Sequence, residues 1–405
     1  MIMTQAGTFD QLWSAIADIG RDPATGGYRR FAWTEPDLRM REWFAGECAS
    51  RDLDLIEDRT GNQWAWWGNP DTDASGGIAT GSHLDSVPDG GAFDGPLGVV
   101  SALAAIDVLR VSGVEPRRAI GIVNFVDEEG ARFGVSCIGS RVITGALRPE
   151  RAWALRDADG VTMAEAMRAA GRRPEQLGAD PEALGRIGSF IELHIEQGRA
   201  LIDLGRAVAV GDRLWPHGRW RIEVPGEANH AGTTRLSDRQ DAVIGCARAV
   251  LAARAAAEAH GSLATVGKIN IQPGGVNAIA RSATAWLDAR AAGEPALRAT
   301  VAQIEDEMAG SGAVVTEESR TPQTAFDDAL VTRLASLLDD APVMSTGAGH
   351  DAGILANAGV PAAMIFVRNP TGVSHSPAEW AELEDCRAGV AALATVLADL
   401  AGSEQ

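Results

Sequence analysis

Four short apolar runs in this chain each stop at a turn carrying a histidine or a carboxylate pair, and no other feature constrains the fold as tightly. They are GGIATGSHLDSV, RAIGIVNFVDEEG, GSFIELHIEQG and PAAMIFVRNPTGVSH. Runs of this length, apolar and closed by Gly, Ser or charge, read as strands. LGVVSALAAIDVLRVSG separates the first two, with Leu, Val, Ala and Ile on a helical period and a Gly stop, so the order is strand, helix, strand. The earlier stretch DLRMREWFAGECASRDLDLIED reads as a helix leading to a strand. An α/β fold with a mostly parallel sheet follows. In such sheets ligands gather outside the carboxyl ends of the strands, where these turns fall.

The chain has 405 residues, more than the roughly 250–300 at which a single core stops growing, so two domains are expected. GRWRIEVPGEANHAGTT, the Ala-rich helix near DAVIGCARAVLAARAAAEA, the strands of TVGKINIQPGGVNAIARSATAWLDAR and a helix around PALRATVAQIEDEMAG form a β-α-β-β-α-like block. The expected division is therefore an α/β domain of residues 1–211 and 328–405, interrupted by an inserted α+β domain of residues 212–327.

A formal charge of −19, from 36 Lys and Arg against 55 Asp and Glu, would repel a phosphate backbone, so nucleic acid is not an expected partner. The N-terminus lacks a basic region followed by an apolar one, and no stretch of about 18 apolar residues occurs. A cytoplasmic protein without a membrane span is expected. Cys48, Cys137, Cys246 and Cys386 lie far apart without Cys-x-x-Cys spacing and are expected to be buried, reduced thiols.

The polar turns are the candidates for chemistry. His83 and Asp85 have the His-x-Asp spacing that in an extended segment puts both on one face, so the carboxylate can orient the imidazole; a strand-end histidine with a local hydrogen bond is the plainer alternative. Asp94 stands alone among glycines just before a helix. That suits a bridging carboxylate better than a phosphate loop, since neither Gly-x-Gly-x-x-Gly nor Gly-Lys-Ser/Thr is present. Glu128 and Glu129 end a strand, where neighbours face opposite ways unless the chain has turned. One then binds a metal and the other shuttles protons for an activated water. His194 and His375 complete a set of three imidazoles and two carboxylates. Such nitrogen and oxygen donors suit two divalent ions, Zn²⁺ or Mn²⁺, sharing Asp94.

TGSHLDSVPDGGAFDGPLGV, VDEEGARFG, ELHIEQG, NHAGTT, GAGHDA and GVSHSP, in this order from about residue 60 to 380, resemble the amidase/hydantoinase/carbamoylase family. That family contains allantoate amidohydrolases, N-carbamoyl-L-amino-acid hydrolases and β-ureidopropionases. The resemblance implies one ion on His83, Asp94 and His194 and another on Asp94, Glu129 and His375, with Asp85 as orienter and Glu128 as general base. It implies that the inserted block is a lid and dimerisation domain, and that His230 reaches the partner subunit's site in a homodimer. Asn277 and Arg290 would bind the substrate carboxylate and Gln197 the ureido end. Taken alone, Arg290 also reads as a salt-bridge partner, Asn277 as a turn former and His230 as a capping residue. His350 and His217 receive no role. The implied reaction is hydrolysis of a linear ureido C–N bond, with allantoate first and N-carbamoyl-L-amino acids or N-carbamoyl-β-alanine as alternatives. An aminoacylase or dipeptidase and a non-catalytic binding protein stand behind these.

Overall fold

The computed structural model describes residues 5–402. It falls into two compact units. One runs to Asp212 and resumes as Ala325–Met344 and from Gly349; the other comprises Arg213–Thr324 and Ser345–Ala348. Three details depart from the division read from sequence. Asp212 and residues 325–327 belong to the first unit, and the four residues Ser345–Ala348 belong to the second, where Trp215 donates an indole N–H to Ser345 and a backbone N–H to the Thr346 carbonyl.

The strands are Asp54–Glu57 (β1), Gln63–Trp67 (β2), Gly77–His83 (β3), Ile120–Phe125 (β4), Ile187–Ile195 (β5), Val208–Leu214 (β6), His217–Pro225 (β7), Asn229–His230 (β8), Leu263–Gln272 (β9), Ala278–Ile279 (β10), Ser282–Arg290 (β11), Val314–Thr321 (β12), Thr324–Ala325 (β13), Val343–Thr346 (β14) and Ala362–Val367 (β15). The large sheet has the order β1-β2-β4-β3-β5-β15-β6-β13, with β14 also on β6. Its centre, β4-β3-β5-β15, is parallel, whereas β1, β2 and β6 pair antiparallel. The central strands are buried along nearly their whole length, which explains why they read as continuous apolar runs rather than alternating ones.

Register then aligns their ends. His83 lies opposite Phe125 and His194 opposite Phe366, so the four polar turns leave the sheet on the same edge. Helix Pro96–Val111 is buried almost all round, packed on β3, β4 and β5 and against helix Leu383–Leu400. Leu97, Leu103 and Ile106 are fully buried there, and each such side chain contributes on the order of 1.5–3 kcal/mol. All four cysteines are buried and unpaired. Among the described residues no helix is long and apolar enough to cross a membrane.

The second unit is an antiparallel sheet, β12-β7-β11-β9. Strands β7 and β11 alternate buried positions with half-buried or exposed ones, and the inner set, including Trp220, Ile222, Val224, Ala283, Ala285 and Leu287, packs with helices Ala242–His260 and Glu294–Met308. Asp241 caps the first of these helices through the Val243 N–H, and Gly261 ends it at φ 61°. β12 was not anticipated: three of the eight residues of its sequence, VVTEESRT, are charged, and only its pairing with β7 makes it a strand.

Candidate metal centre

His83 is the last residue of β3 and His194 the penultimate residue of β5. The loop after β3 returns at Asp94, just before helix Pro96–Val111. Gly95 makes that return possible: its φ is 86°, and a Cβ there would sit 2.4–2.6 Å from the His83 ring atoms. After β4 the chain turns at Asp127, in the left-handed region with φ 52°, so Glu128 and Glu129 do not point to opposite faces. Asp85 holds that turn. Its two carboxylate oxygens accept the backbone N–H of Glu128 and of Glu129, each at 3.1 Å. Asp85 Oδ1 also lies 3.4 Å from His83 Nδ1, and the Asp85 carbonyl 3.2 Å from the same nitrogen.

The side chains converge on Asp94. His194 Nε2 is 3.1 Å and His83 Nε2 3.7 Å from Asp94 Oδ1, while His375 Nε2 is 3.3 Å from Asp94 Oδ2 and 3.7 Å from Glu129 Oε2. Two donor groups result, His83-Asp94-His194 and Asp94-Glu129-His375, with donor atoms in each within 4.8 Å of one another. Glu128 Oε2 stands 3.7 Å from His83 Nε2, and its other oxygen accepts the Cys137 thiol at 3.3 Å.

These residues fit divalent cations. His194 Nδ1 faces the Ile195 carbonyl at 2.9 Å, which fixes the ring so that Nε2 carries the lone pair. That Nε2 and Glu129 Oε1 are buried without a hydrogen-bond partner, a costly condition that coordination would relieve. The titration behaviour agrees. Burial favours the neutral form of Asp94, but the three imidazoles around it hold it well below the usual carboxylate range. Burial, then the Asp94 charge, pushes Glu129 up to about 7. Burial also raises Glu128 well above its ordinary value, against the opposing pull of His83. The neighbouring Asp94 carboxylate lifts His375 to about 9. Clustered groups that must otherwise share protons are suited to sharing cations.

Gln197 sits beside the cluster, its Nε2 donating to Asp94 Oδ2 at 2.8 Å while its Oε1 is buried without a partner. His350, left without a role by the sequence, is buried against His194 with ring centroids 4.4 Å apart. Burial and the nearby His194 charge keep its basicity well below normal. Glu192, His194 and His350 form a third close group, although Glu192 is already used by Ser82 and the Ala352 N–H. Sequence reading also missed Glu379 and Ser374, both within bonding distance of the Asp94 loop. The sole available signal was their position beside His375 in GVSHSPAEW.

In the second unit, His230 and Asn277 are neighbours: β8 pairs with β10, and the Ala231 N–H donates to the Asn277 carbonyl. The Gly232 N–H donates to His230 Nδ1 at 3.0 Å, which leaves the ring proton on the exposed Nε2. Arg290 ends β11, bound by Asp288 and the Gly347 carbonyl. His217 lies opposite it in register, its Nδ1 3.1 Å from the Trp215 carbonyl.

A parallel α/β sheet delivering imidazoles and carboxylates to one edge defines a metal-dependent hydrolase, and the chain belongs to peptidase family M20/M25/M40, whose profile matches residues 79–399. Within that family it stands with the amidases of the hydantoinase/carbamoylase type and acts on C–N bonds. It is 33% identical to the N-carbamoyl-L-amino acid amidohydrolase of Geobacillus stearothermophilus, over 98% of this chain and 99% of that one. It is 31% identical to the allantoate amidohydrolase of Escherichia coli (strain K12), over 95% and 96%. The crystal structure of a hydantoinase/carbamoylase family amidase from Burkholderia ambifaria superposes with a TM-score of 0.81 at 32% identity, covering 98% of both chains.

Proposed function

We propose that this enzyme hydrolyses a linear ureido C–N bond in a small substrate that carries a carboxylate. The observation that carries the reading is the division of Asp94 between two donor groups, with Glu128 alongside but outside both. His83, Asp94 and His194 would hold one divalent ion and Asp94, Glu129 and His375 the other, as Mn²⁺ or Zn²⁺. Bound there, the ions supply Lewis acidity and make water a nucleophile at neutral pH.

The protein's own groups do the rest. Glu128, buried and raised in basicity, takes the proton of the attacking water and returns it to the leaving nitrogen. Asp85 keeps the two glutamates on their turn. Gln197 Oε1 accepts from the ureido NH₂, and the Arg290 fork with Asn277 holds the carboxylate. His230 Nε2–H stabilises the developing oxyanion from the partner subunit. Cleavage gives an amine and a carbamic acid, which breaks down to ammonia and carbon dioxide.

The second unit acts as lid and dimerisation domain in this reading. Its helix Ala242–His260 leaves Ile244 56% and Leu251 70% exposed, and the neighbouring β9 exposes Leu263, Ile269 and Ile271, apolar surface that a second copy would cover. The four free thiols support a cytoplasmic enzyme. Allantoate stands first as substrate. N-carbamoyl-L-amino acids are the second reading, favoured by the Geobacillus relative. Ammonia release from the metal-loaded enzyme, measured against allantoate, N-carbamoyl-L-amino acids and N-carbamoyl-β-alanine, together with release of the free amino acid from an N-acetyl-amino acid, tests the proposal. Turnover of the N-acetyl compound alone would contradict it.

A further inference from the structure

Glu379 ties together the two loops that bring Asp94 and His375 into the cluster. Its Oε2 accepts the backbone N–H of both Phe93 and Asp94, at 2.9 and 3.0 Å. Its Oε1 lies 3.1 Å from the hydroxyl of Ser374, which is also 3.2 Å from Asp94 Oδ2. The carboxylate is 3% exposed, and the chain before Asp94 is moulded on it: a Cβ on Gly91 would stand 2.2 Å from Oε2. Two buried main-chain donors share one oxygen, so its loss leaves both unsatisfied.

The bonds bear on how Asp94 is presented. Oδ1 faces His83 and His194, whereas Oδ2 faces His375. Rotation of this carboxylate by a few tens of degrees would spoil its service to both groups at once. Glu379 fixes the Asp94 main chain directly, and Ser374, seated on Glu379, reaches Oδ2.

We propose that Glu379 is a positioning residue for the metal centre, holding Asp94 in the orientation that lets one carboxylate serve two cations. The inference rests on the metal-site reading above. It concerns cation affinity, to which partners of this kind typically contribute about 10–100-fold.

The test compares wild type, Glu379→Ala, Glu379→Gln, Ser374→Ala and Asp94→Asn. Each is stripped of metal, titrated with Mn²⁺ and Zn²⁺ against a competing chelator, and melted metal-free. Glu379→Ala is expected to weaken at least one equivalent about 10–100-fold. Glu379→Gln keeps an acceptor for the two N–H groups and gives Ser374 a donor, so its affinity stays close to wild type. A purely structural role would lower the metal-free melting temperature and leave cation affinity in the folded protein unchanged, and that result overturns the proposal. Should Glu379→Ala fail to fold, Ser374→Ala decides: weakened binding supports the positioning role and unchanged binding contradicts it. Asp94→Asn separates the two claims, because if it too binds both equivalents at full strength, the metal-site reading itself is wrong.

Discussion

Asp288 grips the guanidinium of Arg290 side-on, with Nε 2.7 Å from Oδ1 and Nη2 3.1 Å from Oδ2. The Gly347 carbonyl accepts from Nη1 at 2.8 Å. Three of the five N–H groups are thereby used, leaving one on each terminal nitrogen, the number an end-on carboxylate needs. The fork is held in place before any substrate arrives, which lowers the entropy lost on binding.

Arg290→Lys exchanges this fork for a point charge and is expected to raise KM for the carboxylate-bearing substrate about 10–100-fold, the equivalent of a charged hydrogen bond of roughly 1.5–3 kcal/mol. Steady-state kinetics on the substrate and on its carboxamide analogue check this. KM for the analogue should hardly move between wild type and variant.

His230→Ala removes the donor on Nε2 and should lower turnover by about 10²–10³ with metal content intact. Mixing His230→Ala with Glu128→Gln subunits should restore up to about a quarter of wild-type activity, since half of randomly paired dimers are mixed and each has one complete site. Verified subunit exchange without recovery would place His230 within its own chain.

Gly95→Ala forces an L-residue into φ 86° and a methyl group onto His83. A loss of about 1–3 kcal/mol is expected from the backbone alone, together with weaker metal binding. Denaturant melts of metal-free protein, paired with elemental analysis, resolve the two effects.

Adding Mn²⁺ or Zn²⁺ to stripped enzyme should raise its melting temperature in a concentration-dependent way, because a ligand that binds only the folded state stabilises it by about 2.7 kcal/mol at a hundred times its dissociation constant. Variants at His194 should lose the part of that shift that the cation on His83, Asp94 and His194 supplies.

The parallel centre of the sheet was legible because buried strands leave continuous apolar runs, as in IGIVNF and AAMIFV. The histidine and glutamate candidates were legible because each lies at or beyond the end of such a run, and Asp94 because it stands alone among glycines before a helix. β12 was hidden, since a charged edge strand is specified by its partner and not by its own pattern. Asp85 was read as an orienter of His83, but its two bonds to the Glu128 and Glu129 N–H groups depend on the left-handed turn at Asp127, which no spacing reveals. Glu379 was invisible for a similar reason: its partners lie 285 and 286 residues away. The crossing of residues 345–348 into the second unit also has no local signature.

The central claim is that one glutamate of the pair moves protons while the other holds metal. Its most direct test is elemental analysis and ammonia release on Glu128→Gln and Glu129→Gln, each reconstituted with Mn²⁺ or Zn²⁺. Glu128→Gln is expected to keep both equivalents of metal and lose nearly all turnover, because Gln retains the shape and cannot accept the proton. Glu129→Gln is expected to be depleted of metal. A metal-poor Glu128→Gln beside a fully loaded Glu129→Gln would reverse the two roles and contradict the account.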